Sequence, residues 1–138
     1  MISQAKHESL RAKYSPDGSL LRRQQERMLE ILCEIDRICK KHGIRYWLSS
    51  GTLIGAARHC GFIPWDDDAD VALPREDYNI LVKHANEWLP ERYELVSGLQ
   101  DPMYPYQFAR IQDKETTYIL RRKFNFVGGL PVDVFPLD

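Results

Sequence analysis

Pro64-Trp65-Asp66-Asp67-Asp68-Ala69-Asp70-Val71-Ala72-Leu73 places four carboxylates within five residues and then runs straight into an apolar segment. Charge of that density needs a partner. In an extended strand side chains alternate between faces, so Asp66, Asp68 and Asp70 are expected to point one way and Asp67 and Ala69 the other. Three carboxylates on one side repel each other, and they are best tolerated with a hard cation, magnesium or manganese, among their oxygens. A solvated acidic turn is the alternative, and the flanking sequence weighs against it.

Upstream, Tyr46-Trp47-Leu48-Ser49-Ser50-Gly51-Thr52-Leu53-Ile54-Gly55-Ala56-Ala57-Arg58 reads as an apolar strand, a small-residue turn and the start of a short helix. Ser50, Gly51 and Thr52 let a ligand approach the backbone, and free N–H groups at a helix N-terminus favour an anion. Arg58 adds a positive charge that can meet a phosphate, or else a salt bridge that steadies the acidic loop. A small-residue turn alone only connects elements. A turn of this kind followed some fifteen residues later by an Asp-x-Asp strand is the layout of nucleotidyltransferase-fold enzymes.

Longer stretches carry a closer resemblance. Ser50-Gly51-Thr52-Leu53-Ile54-Gly55-Ala56-Ala57-Arg58-His59, Gly61-Phe62-Ile63-Pro64-Trp65-Asp66-Asp67-Asp68-Ala69-Asp70 and Pro74-Arg75-Glu76-Asp77-Tyr78 resemble the signature of the LicD family, which includes fukutin-like proteins. Gly129-Leu130-Pro131-Val132-Asp133-Val134-Phe135-Pro136-Leu137-Asp138 is similar to a later family segment, in which an Asp lies in an apolar strand ahead of Phe-Pro-Leu-Asp. The resemblance implies an α+β fold, a nucleotidyltransferase-like mixed β-sheet flanked by helices. It also implies transfer of a phosphorylated alcohol, such as phosphocholine from CDP-choline, onto a hydroxyl of a cell-surface glycan or its precursor, of lipopolysaccharide or teichoic acid type. Family members continue past Phe-Pro-Leu-Asp, so the chain is expected to be the N-terminal part of a longer family domain. On this reading residues 1–18 are a polar lead-in and residues 19–138 are the LicD-like domain, truncated at its C-terminus.

Composition narrows the partners. The chain has 138 residues, 43% of them hydrophobic, enough for one domain with a modest core. A formal net charge of -1, from 19 basic and 20 acidic residues, gives no global field for nucleic acid or an anionic membrane, so anion binding has to be local. No apolar run approaches the roughly 20 residues of a membrane span, and the start is polar. The expectation is a cytoplasmic protein, compatible with peripheral association at the inner face of the membrane. Cys33, Cys39 and Cys60 are odd in number and form no C-x-x-C pair, which suits reduced thiols.

Apolar periodicity predicts the scaffold. Met28, Ile31, Leu32, Ile35, Ile38 and Cys39 recur at helical spacing, with Ser19 suited to cap the start and Gly43 the end. A second helix is predicted over 75–89, introduced by Pro74 and stopped by Pro90. Strands are predicted at 44–49, 68–73, 93–97, 108–112, 116–121 and 132–135, with a loop over 98–107. Pro131 lacks a backbone donor, which suits an edge strand or a strand start better than the middle of a sheet.

The resemblance assigns roles residue by residue. Asp68 and Asp70 match the paired metal-binding carboxylates, with Asp66 completing the site, and Asp133 matches the third carboxylate, a metal ligand or the base for the acceptor hydroxyl. Ser50, Gly51, Thr52 and Arg58 are the expected contacts to the donor, a CDP-alcohol or other nucleotide. Trp47 and Trp65 are expected in the core beside the site, Arg75 near ligand or an anion, and Lys114, Arg121, Arg122 and Lys123 on a solvated face. Two alternatives stay open: nucleotidyl transfer to a small molecule or protein, and an inactive remnant that binds nucleotide or a partner.

Overall fold

The computed structural model describes residues 1–121 and 125–138, with side chains described outside 120–126. The elements run α1 (Gln4–Tyr14), α2 (Leu20–His42), β1 (Trp47–Leu48), α3 (Ser50–His59), β2 (Asp70–Pro74), α4 (Arg75–Trp88), β3 (Tyr93–Val96), β4 (Ala109–Arg121) and β5 (Asn125–Leu137). The strands form one mixed sheet in the order β1-β2-β5-β4-β3. Only the β2–β5 pair is parallel among the described strands. This is the α+β mixed sheet flanked by helices that the resemblance implies.

Helix α2 forms where capping and periodicity agree. Ser19 Oγ accepts from the Arg22 N–H at 3.2 Å, and Gly43 closes the other end at a φ of 69°, in the left-handed region that glycine enters at least cost. Its stripe, Met28, Ile31, Ile35 and Ile38, is fully buried. That stripe and the Tyr78, Leu81, Val82 and Ala85 face of α4 share one core with Val71, Leu73, Leu95, Ala109, Ile111, Val132 and Val134. Truncating one of these, Ile35→Ala for example, costs roughly 2–5 kcal/mol. Because strand residues alternate, Asp70, Asp133 and Arg110 project from the opposite face of the same strands. The core therefore fixes the site from behind.

Several expectations change. Residues 4–14 are a helix rather than a loose lead-in: Ser3 caps it, and the Ile2 N–H donates to the Arg58 carbonyl. It buries no residue, so the sequence carries no apolar stripe to betray it. The strand expected at 44–49 shrinks to Trp47 and Leu48, and both Trp47 and Trp65 are about half exposed instead of sitting in the core. The two strands expected at 108–112 and 116–121 are one strand, β4, with a bulge between Asp113 and Tyr118. Gly129 faces that bulge, where a Cβ would lie 2.2 Å from the Asp113 carbonyl oxygen. Strand β5 is central, yet Pro131 fits it: the Asp133 N–H points to Ala69 beyond β2, and Pro131, of the same parity, precedes the start of β2. Its missing donor falls where β5 is locally an edge. Arg75 pairs with Asp138 at 2.7 Å, which supplies the anion its helix-start position calls for. The cysteines are free thiols, Lys114 is exposed, and the expectation for the side chains of Arg121, Arg122 and Lys123 lies outside the described residues.

Candidate active site

Asp70 is fixed through its backbone. Its N–H donates to Thr52 Oγ1 at 2.9 Å and its carbonyl accepts from the Ser49 N–H at 3.0 Å, so the start of α3 and the start of β2 are tied together. Thr52 is thus buried, and its hydroxyl oxygen positions Asp70. Ser50 hydrogen-bonds the Asp70 carboxyl from a left-handed φ of 51°, a conformation that costs an L residue roughly 1–2 kcal/mol. Gly51 packs directly on the acidic loop: a Cβ there would lie 2.7 Å from Asp66 Oδ2.

Beside Asp70, in parallel register, stands Asp133. Arg110 on β4, paired with Asp133 across the antiparallel ladder, donates through Nε to Asp133 Oδ1 at 2.7 Å. Its guanidinium lies over the Tyr106 ring at 4.4 Å and the Phe108 ring at 5.8 Å. Arg110 escaped the sequence reading. The signal was present in Phe108-Ala109-Arg110-Ile111, a cation inside an apolar strand, which is seldom buried unless paired. Gln25 was missed in the same way: it sits on the apolar stripe of α2, is buried, and donates to the Asp66 carbonyl at 3.0 Å, holding the acidic loop in place.

That loop corrects the alternation argument. Residues 66–69 are not in a strand; β2 begins only at Asp70. Asp66, Asp67 and Asp68 gather instead, one oxygen from each within 4.8 Å of the others, so Asp67 joins the cluster from which a regular strand would have turned it away. The site is two groups, a loop trio and the sheet pair Asp70–Asp133. Asp68 couples them, because its charge acts on Asp66, Asp70 and Asp133 alike.

The carboxylates are under-compensated. Burial, then the adjacent Asp68 carboxyl and the charges of Asp67 and Asp70, push Asp66 up to about 6. Burial with the charges of Asp68 and Asp133 pushes Asp70 up to about 6, against the Ser50 hydrogen bond and Arg110. Asp133 is also raised, by burial and Asp68, although Arg110 pulls it down. Among the described residues Asp66 Oδ2 is buried without a hydrogen-bond partner. Hard oxygen donors, mutual repulsion and an orphaned carboxylate oxygen fit a magnesium or manganese ion.

Arg58 does not join them. It lies at the far end of α3, about 12 Å along the axis from Ser50 at the rise of an α-helix. There its Nε donates to His59 Nε2 at 3.1 Å, while His59 meets His7 of α1 at 3.1 Å.

Comparison with known proteins adds the family. Residues 43–137 match the family described as LicD/FKTN/FKRP, nucleotidyltransferase domain. Over 74 residues, 54% of the chain, there is 47% identity to the lipopolysaccharide cholinephosphotransferase LicD of Haemophilus influenzae. Over 121 residues, 86% of the chain, there is 30% identity to the ribitol-5-phosphate transferase FKTN of Mus musculus. A 35-residue stretch is 57% identical to the human ribitol 5-phosphate transferase FKRP. These matches span 27%, 22% and 7% of the respective relatives. No helix among the described residues is long and apolar enough to cross a membrane.

Proposed function

The chain belongs to the LicD/FKTN/FKRP nucleotidyltransferase-domain family, and from that premise we propose that its acidic cluster is a phosphotransfer centre. It moves a phosphorylated alcohol, of the phosphocholine or ribitol-phosphate kind, from a nucleotide donor such as CDP-choline onto a glycan hydroxyl. The observation that carries this reading is Asp70 beside Asp133, both raised above the usual carboxylate range, with Arg110 locked on the second and the Asp66–Asp68 trio next to the first.

Asp66, Asp68 and Asp70 are the residues to hold a magnesium or manganese ion, which when bound neutralises phosphate oxygens. Ser50 and Gly51, at the start of α3, face the donor phosphates, where helix N–H groups favour an anion. Asp133 takes the proton of the acceptor hydroxyl; the hydroxyl oxygen bonds to the phosphorus carrying the alcohol as the bond from that phosphorus to the nucleotide oxygen breaks, and the nucleoside monophosphate leaves. Arg110 contributes by fixing the Asp133 carboxylate. A raised Asp133 is a better proton acceptor than an ordinary aspartate.

The test is to incubate the protein with CDP-choline or a CDP-polyol, a glycan acceptor and magnesium, and to weigh the acceptor. A gain equal to the phosphoalcohol supports the proposal. A gain equal to the nucleotide would make this a nucleotidyltransferase, and nucleotide binding without any gain would make it a binding remnant.

A further inference from the structure

The polar row Asp70–Asp133–Arg110 ends at Arg110, which pairs with Val96 of β3 across the ladder. Beyond it lies a cleft of about 570 Å³ between α4 and the segment over residues 97–108, within the size range of small-molecule sites. Tyr106 belongs to both places. It walls the cleft, and its ring lies 4.4 Å from the guanidinium that holds Asp133, so the cleft begins one aromatic ring away from that carboxylate. Phe108, also in the wall, touches Phe135 at 4.4 Å, two residues past Asp133 on the same strand face. Asn79 and Lys83, exposed and one turn apart on α4, line the outer side.

The lining specifies a kind of ligand. Aromatic faces backed by amide, hydroxyl and ammonium groups, with no carboxylate among the described lining residues, suit a molecule with C–H faces and hydroxyl edges. Position then selects the role. In phosphoryl transfer the entering and leaving oxygens lie roughly in line on opposite sides of phosphorus. The start of α3 and the acidic loop flank Asp70, on the β1 side of Asp133, whereas the cleft flanks Arg110 on the β4 side. A donor held on the first side is attacked from the second.

Resting on the phosphotransfer reading above, we propose that this cleft is the acceptor subsite. It takes a sugar ring of the glycan against Tyr106 and Phe108, with the nucleophilic hydroxyl directed toward Asp133. The donor nucleotide binds elsewhere, on the α3 side.

Saturation-transfer NMR on the full chain tests this, with methyl glycosides of glucose, galactose and N-acetylglucosamine as sugar probes and CDP as the donor-side probe. Asn79→Trp and Gly98→Phe obstruct the cleft at tolerant positions, since Asn79 is exposed and a Cβ at Gly98 meets no atom within 4 Å. The expected result is that at least one glycoside binds the wild type through aromatic protons and binds both variants at least about tenfold more weakly, a loss of about 1.4 kcal/mol, while CDP binding is unchanged. Glycoside binding that is absent from the wild type, or indifferent to both variants, overturns the subsite. Loss of CDP binding in the variants overturns it too, by making the cleft a nucleotide site. Failure of the phosphotransfer reading is seen separately, as no phosphoalcohol gained by a glycan acceptor incubated with the wild type, a CDP-alcohol and magnesium, whatever the glycosides do in the cleft.

Discussion

Asp113 and Asp133 lie on the paired strands β4 and β5, the first fully buried and the second mostly so, each held by arginine, and they are set in opposite ways. Around Asp113, Arg92 donates through two nitrogens at 3.2 and 2.8 Å, Arg27 approaches to 3.5 Å, and the Glu115 N–H adds a further bond at 3.0 Å. Burial pushes this carboxyl up, but those partners outweigh it and hold it below the usual range. Asp133 has Arg110 against it and Asp68 and Asp70 on its other side, and it ends above that range. A carboxylate with a surplus of donors is a structural bolt. One left short of positive charge holds a proton more tightly and attracts cations, the condition that the proposed transfer chemistry calls for.

The sharpest way to break this contrast is to neutralise each member. Asp133→Asn should cut phosphoalcohol transfer by at least about a hundredfold, the lower end of what a positioned base contributes, and cost less stability than Asp113→Asn, because Arg110 keeps the Asp70 charge beside it. Asp113→Asn should do the reverse, lowering stability by roughly 2–3 kcal/mol because it removes the buried charge on which Arg92 and Arg27 converge and leaves Arg92 the exposed Glu30 and Glu115. Transfer assays and denaturant titrations on the same pair of variants separate the two roles, and a large stability loss in Asp133→Asn would erase the distinction.

A glycine stands against each region and extends the comparison. Gly129→Ala drives a Cβ into the Asp113 backbone carbonyl, which cannot yield, so a loss of roughly 2 kcal/mol or more is expected by thermal or denaturant unfolding. Gly51→Ala meets only the end of the Asp66 side chain, which can swing away. Its stability should fall by less than about 1 kcal/mol while nucleotide affinity drops about tenfold, because the displaced carboxylate and the new methyl group occupy the donor's approach.

Smaller still is the effect of relieving the repulsion. With chelator present, Asp66→Asn should raise stability by about 1 kcal/mol, since an amide can donate to the Asp68 carboxylate that Asp66 crowds. Calorimetric scans at pH 8 read this directly, and a lower melting temperature would mean that the Asp66 charge is already compensated.

The least effect is expected at the α1 anchor, at the far end of α3 from Ser50. His59 is held below its ordinary value by burial, then by Arg58 and His7. The unfolded chain therefore takes up this proton first on acidification, and the stability contributed by neutral His59 is present above about pH 6.5 and lost as pH falls through the folded value. Asp66 and Asp70, at about 6, act in the opposite sense over the same window, so the readout is a difference. Between pH 7.5 and 5.5 the wild type should lose melting temperature relative to His59→Gln by about one to three degrees. Parallel melting curves for the two proteins would remove the His59 argument.

How far this contrast was legible beforehand depends on the residue. The loop trio and Asp70 announce themselves by density, and Asp133 by its place before Phe-Pro-Leu-Asp. Their geometry did not follow from density, because alternation holds only inside a strand and residues 66–69 are irregular. The α2 and α4 faces were legible because one side of each must be apolar. Helix α1 was not, since it buries nothing. Arg110 and Gln25 could be found only as polar residues in apolar frames, and such frames do not say which partner satisfies them. Nor did the sequence separate Asp113 from Asp133, because each one's arginines come from other elements brought near by the fold.

The central claim is that the under-compensated carboxylates form a divalent cation site. Isothermal titration of manganese into the full chain, with and without CDP, measures this for the wild type and for Asp68→Asn combined with Asp70→Asn. The account predicts saturable binding by the wild type, strengthened by CDP, and loss of that binding in the double variant while its fold persists. Equal manganese binding by the folded double variant, or none by the wild type in the presence of CDP, would contradict it.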